Sequence, residues 1–162
     1  MSHPLSRPLA LLALALAPLV VGPGALPVAA QTGAAPLAST DSNTPGVTAD
    51  VIECKRKDGV LTLKIRFRNS GTAEERVGVI SRGQYDAHYL TAGSKKYFIL
   101  RDAEKTPLAP QVDPGGSVTA TLPPNGTYTW WAKYPAPPVE VKSVNVYTPV
   151  APPMDDVPIS DP

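Results

Sequence analysis

The sequence predicts an all-β fold, an antiparallel sandwich or barrel, and three observations carry that expectation. Short runs alternate apolar and polar residues, no window sustains a helical period, and clusters of Gly, Pro and Asn separate the runs roughly every 8–15 residues. A period of two turns one side of each strand toward a core and the other toward water.

Taken in chain order, residues 31–46, QTGAAPLASTDSNTPG, are small and polar, so they read as a flexible leader that buries too little apolar surface to order itself. ADVIECKRK (49–57) is the first strand, and Asp58-Gly59 suits a tight type I′ hairpin turn. The clearest strand is VLTLKIRFRN (60–69), with Leu61, Leu63, Ile65 and Phe67 on one side and Thr62, Lys64, Arg66 and Arg68 on the other. Burying those four apolar side chains contributes roughly 6–12 kcal/mol gross, an upper figure against an extended chain. Asn69-Ser70-Gly71 ends it, and EERVGVIS (74–81) forms the next strand. At the end of the polar loop GQYDAHYL (83–90), Tyr89-Leu90 leads through Ala92-Gly93 into KKYFILRD (95–102). Thr106-Pro107 and the run from Asp113 to Gly116 mark loops before SVTATL (117–122). Beyond the turn Pro123–Gly126, TYTWWAKYP (127–135) sets Tyr128, Trp130, Ala132 and Tyr134 against Thr127, Thr129, Trp131 and Lys133. In VKSVNVYTP (141–149), Val144 and Val146 face inward, and the change of parity from Val141 predicts a bulge or a start near Lys142.

Residues 1–30 have the build of an export signal: Arg7, an apolar run from Leu9 to Val21, and small residues at Val28-Ala29-Ala30 before Gln31. The run is about 13 residues and contains Pro18, short of the ~18–20 that span a bilayer, so no integral span is expected after cleavage. The expected location is therefore periplasmic or extracellular. Without Arg7 the remainder carries 14 basic and 14 acidic residues, which gives no electrostatic case for nucleic acid. Cys54 is the single cysteine, so no disulfide framework exists, and its place two residues after Ile52 predicts a buried, inert thiol on the same side of the strand.

The KKYFILRD strand at Lys95–Asp102, the Y-P-A-P-P run at Tyr134–Pro138, the alternation at Val144–Val146 and the closing P-P-x-x-D-V-P-I at Pro152–Ile159 together resemble an immunoglobulin-like domain of bacterial extracytoplasmic proteins. The resemblance covers most of 47–160. It implies an immunoglobulin-like β-sandwich domain of about 7–8 strands behind the signal peptide and leader, with no established activity, catalytic residues or cofactor. It also bears on PVAPPMDDVPI (149–159), where four prolines fall in eleven residues yet Val150, Met154, Val157 and Ile159 keep returning. The expectation is a strap laid over the sandwich, with Val157 and Ile159 docked and Asp155-Asp156 turning it.

Sites of reaction chemistry are sparse. The histidines are His3, inside the signal, and His88, in a polar loop where solvation is the ordinary expectation. Ser81, Asp86 and His88 could be drawn as a triad, but no G-x-S-x-G accompanies them, and a triad is defined by geometry. Metal ligation needs three or four suitable ligands, and neither a zinc set, a calcium loop nor a phosphate cradle is present in the sequence. Asn125-Gly126-Thr127 fits a glycosylation sequon but is explained by its turn. Two surface features remain. Lys55, Arg56, Lys57, Lys64, Arg66 and Arg68 put six cations on one hairpin, although Glu53, Asp58, Glu74 and Glu75 nearby allow a mixed solvated face. Adjacent Trp130 and Trp131 must point to opposite sides, which puts Trp130 in the core and Trp131 outside or under the GQYDAHYL loop. The candidate recognition residues are Trp131, Tyr85, Tyr89, Lys64, Arg66 and Arg68, facing an envelope protein or a glycan, since exposed aromatics are enriched at recognition surfaces. The expected function is a non-catalytic exported binding or structural module without a cofactor, with a carbohydrate-binding module and an unrecognised hydrolase as the alternatives.

Overall fold

The computed structural model describes residues 35–162; the export signal expected over 1–30 lies outside the described residues, as do 31–34. Ten strands follow one another: β1 (Ala38–Asp41), β2 (Val47–Lys57), β3 (Val60–Asn69), β4 (Glu75–Ile80), β5 (Tyr89–Ala92), β6 (Lys95–Phe98), β7 (Val118–Leu122), β8 (Thr127–Pro135), β9 (Ser143–Thr148) and β10 (Ala151–Pro158). One short 3-10 helix, Tyr85–Ala87, interrupts them. Two four-stranded sheets run β1-β2-β3-β8 and β10-β9-β5-β6, and β4 pairs with β7 in a two-stranded sheet. Every strand pairing is antiparallel. The inward rows of all three sheets share one apolar core, a layering consistent with an all-β sandwich.

The strand count exceeds the expected 7–8 partly because the expected leader is not uniformly loose. Residues 38–41 form β1, with Ala38 opposite Val51 and Asp41 opposite Thr48. A polar edge strand needs little apolar burial when a neighbouring strand supplies its backbone partners. The Ser39 hydroxyl adds a bond of 2.7 Å to the Asp50 carboxylate.

The β2–β3 hairpin forms as its turn residues dictate: Asp58 and Gly59 have φ of 50° and 75°, both left-handed as type I′ requires. Leu61, Leu63, Ile65 and Phe67 are buried, and their partners across β8 include Trp130, Ala132 and Tyr134, also buried. In β2 the register slips between Val51 and Glu53. This bulge switches the inward row from Val47, Ala49 and Val51 to Cys54 and Arg56, leaving Ile52 half-buried. Cys54 is buried as expected, but through the bulge and not through a parity shared with Ile52. Burial pushes its thiol up to about 12.

The closing segment is a true strand. β10 pairs with β9 through Ala151 opposite Thr148, Met154 opposite Val146 and Val157 opposite Val144, so three residues of β10 advance for every two of β9. Two successive irregularities give the inward residues a spacing of three: Ala151, Met154 and Val157 are buried while Pro152, Pro153, Asp155 and Asp156 are exposed. Asp156 takes a left-handed φ of 52°, and its N–H donates to the Asn145 side chain. Beyond β10 the chain crosses to the other sheet, where Ser160 exchanges backbone bonds with Cys54 and Arg56. That place on β2 is open because β1 covers only Thr48–Val51. Arg56 secures the crossing from inside. Its guanidinium donates to the carbonyls of Pro137, Pro138, Val139 and Val141 and to both Asp161 oxygens.

Candidate functional site

Of the cations expected on the hairpin, those of β3 are met by carboxylates, while Lys55 and Lys57 stay exposed without one among the described residues. Lys64 Nζ lies 2.9 Å from Glu53, Arg66 lies 3.0 Å from Asp50, and Arg68 lies 3.6 Å from the same Asp50 oxygen. Asp50 is buried although it belongs to the outer row, because Ser39, Arg66 and Arg68 enclose it. Burial pushes its carboxyl up, but the Ser39 and Arg66 hydrogen bonds and the two guanidinium charges outweigh burial and leave it lowered. Arg56 does not belong to this face, being buried under the terminal crossing. Three cations facing two carboxylates make a weak anion surface.

The aromatic candidates separate. Trp130 is 1% exposed and Trp131 is 38% exposed beside Lys64, its register partner, so the two take opposite sides as expected. The GQYDAHYL loop covers Trp130 and not Trp131. His88 is buried with its ring 4.8 Å from that of Trp130, and its Nε2–H donates to the Val79 carbonyl at 2.8 Å. This corrects the expected solvated histidine: burial lowers its pKa to about 4. A neutral, enclosed imidazole bonded to a carbonyl has no route to a substrate proton in this geometry. Tyr85 is also a correction, since it is 5% exposed, with its hydroxyl donating to Pro110 and accepting from the Val112 N–H. It anchors the loop 110–112 and presents nothing to solvent.

Tyr89 lies on the outer side of the second sheet, far in sequence from the hairpin face. Its ring stacks on Tyr147 at 4.7 Å and 10°, Phe98 stands 6.1 Å away, and Lys96 Nζ is 4.3 Å above it. These rings rest on one another, which leaves edges and not a flat shared plane for a sugar.

A second feature was not legible as a site in the sequence. A cleft of about 500 Å³ opens between β6 and the end of β8, lined by Lys95, Lys96, Phe98, Arg101, Pro135 and Ala136 over a floor that includes buried Tyr97 and Ile99. Phe98 is 46% exposed. Lys95 and Lys96 have no carboxylate partner among the described residues, and Arg101 has a single, exposed contact of 3.5 Å with Asp86. No acidic residue lines the cleft. The available signal was the parity of KKYF: with Tyr97 inward, Lys96 and Phe98 must both face out. Among the described residues no group of three or more His, Cys, Asp or Glu side chains could hold a metal ion, and no helix is long and apolar enough to cross a membrane. Compared with protein-family models, with curated proteins and with solved structures, the chain matches none.

Proposed function

We propose that this chain is an exported, non-catalytic binding module of the bacterial cell envelope, built on an immunoglobulin-like β-sandwich. The cleft beside β6 carries the reading, because a half-exposed phenylalanine and two lysines without carboxylate partners adjoin one concave surface. Aromatic residues and arginine are enriched at recognition surfaces, and Phe98 and Arg101 bring both to this cleft. Export rests on the signal at 1–30, and the immunoglobulin-like topology rests on the closing motif at Pro152–Ile159. Fold alone names no partner. A carbohydrate-binding role would need an open ring face, and Trp131 is the one candidate that supplies it, isolated among ion pairs.

The test has two arms. Mass spectrometry of the protein recovered outside the cytoplasm should show a chain starting at Gln31; an intact Met1 retained inside the cell would refute export. Crosslinking in envelope extracts should capture a partner with the native chain and lose it with Phe98→Asp. Retention by Phe98→Asp together with loss by Trp131→Ala would move the binding surface to the outer face of β3 and β8.

A further inference from the structure

The hydrogen-bond pattern of β6 specifies which backbone groups line the cleft. Ala92 pairs with Lys95 across the two-residue turn Gly93-Ser94, so these two form the closing hydrogen-bonded pair of the hairpin. Antiparallel pairs alternate between bonded and non-bonded, so Lys95 and Tyr97 turn their N–H and C=O toward β5, while Lys96 and Phe98 turn theirs to the free edge. Leu100, two residues on, shows that this edge bonds when a partner is present. Its N–H donates to Lys133 of β8 at 2.8 Å, and its C=O accepts from Leu108 at 2.7 Å. Those bonds close the sandwich at Leu100. The same line of groups at Lys96 and Phe98 has no protein partner among the described residues.

We infer that β6 accepts an extended acidic peptide, which adds as a strand at Lys96–Phe98 and places its carboxylates on Lys95, Lys96 and Arg101. This rests on the binding-module reading and specifies its ligand. Main-chain bonds supply affinity in such strand addition, and side chains along the edge supply choice. Charge selects the peptide: three cations and no acid line the cleft, whereas the cations of β3 are already matched by Asp50 and Glu53. Phe98 provides an apolar contact between those charges. Lysines on an edge strand also discourage aggregation, but that role does not account for a neighbouring phenylalanine left 46% exposed.

The experiment is fluorescence anisotropy with the full exported protein and a fluorescein-labelled Glu-Glu-Val-Glu-Glu peptide, which carries acids on both sides of the strand and one apolar residue between them. Two control peptides are used, one with Lys for Glu and one with every internal backbone nitrogen methylated, which removes the donors from both edges of the strand. The acidic peptide should bind, the basic one should not, and methylation should weaken binding at least tenfold by removing edge donors without altering charge. Lys95→Glu with Lys96→Glu should weaken it to a similar degree, and amide exchange at Lys96 and Phe98 should slow in the complex. Binding of the methylated peptide at undiminished affinity, or of the basic peptide equally well, would overturn the strand-addition model of recognition. So would a concentration-dependent dimer abolished by Phe98→Asp, which would assign the edge to a second copy of the chain. If the peptide fails while Phe98→Asp still abolishes capture in envelope extracts, the binding module stands and this assignment of its ligand falls.

Discussion

Lowering the pH from 7 to 4.5 should destabilise this domain chiefly through one buried imidazole. A carbonyl can only accept, so the bond to Val79 fixes the His88 proton on Nε2 and leaves Nδ1 enclosed without a partner. Protonating Nδ1 would bury a charge against Trp130, so the folded pKa falls to about 4 while the unfolded chain keeps about 6.5. The unfolded state therefore binds the extra proton first as pH falls. Stability is complete above the unfolded pKa and is lost between about 6.5 and 4. At 1.36 kcal/mol per pKa unit, the loss by pH 4.5 is about 2–3 kcal/mol. Asp50 and Asp161 act elsewhere: their folded pKa values are lowered, so their contributions persist through this window and fade only as the pH falls below the ordinary aspartate value of 3.8. Urea unfolding followed by tryptophan fluorescence at pH 7 and 4.5 would measure the difference, with His88→Phe as the comparison. The variant should be less stable at neutral pH, because the Val79 carbonyl loses its donor, but its stability should change little across the window. Equal pH dependence in the native chain and His88→Phe would refute the reasoning.

Other expectations follow from packing. Cys54 should resist a thiol reagent in the folded protein and react fully after denaturation; rapid native labelling would show that the β2 bulge does not turn it inward. Trp130→Ala should cost roughly 3–5 kcal/mol in chemical unfolding as a core truncation, whereas Trp131→Ala should stay within about 1 kcal/mol, and the reverse order would invert the register of β8. Removing residues 150–162 should lower the melting temperature by several degrees and expose a surface that binds hydrophobic dye, since Met154, Val157 and Ile159 leave the core. Arg56→Met should reproduce part of that loss by freeing the carbonyls of Pro137 and Pro138, and an unchanged melting curve in both would reduce the segment to a tether.

What the sequence determined by itself was the local pattern. The period-two runs gave 60–69 and 127–135 their strand limits, Asp58-Gly59 gave the turn, and the side-chain parity of β8 separated Trp130 from Trp131. These follow because the pleat and the left-handed turn act within a few residues, and the sequence records them directly. Tertiary structure decided what depends on partners distant in the chain. Alternation could not show the one-residue bulge that turns Cys54 and Arg56 inward, because β2 keeps its odd parity up to Val51 and needs β3 to reveal the slip. The polarity of residues 38–41 concealed a strand whose order comes from Asp50 and the β2 edge. His88 and Tyr85 read as loop residues until the loop folded onto Trp130 and Pro110, and the cations of β3 read as a site until Asp50 and Glu53 faced them. The open edge at Lys96 and Phe98 could not be read at all. Whether a backbone N–H is free depends on which strands end up beside it, and only the assembled sheets leave β6 without a neighbour there.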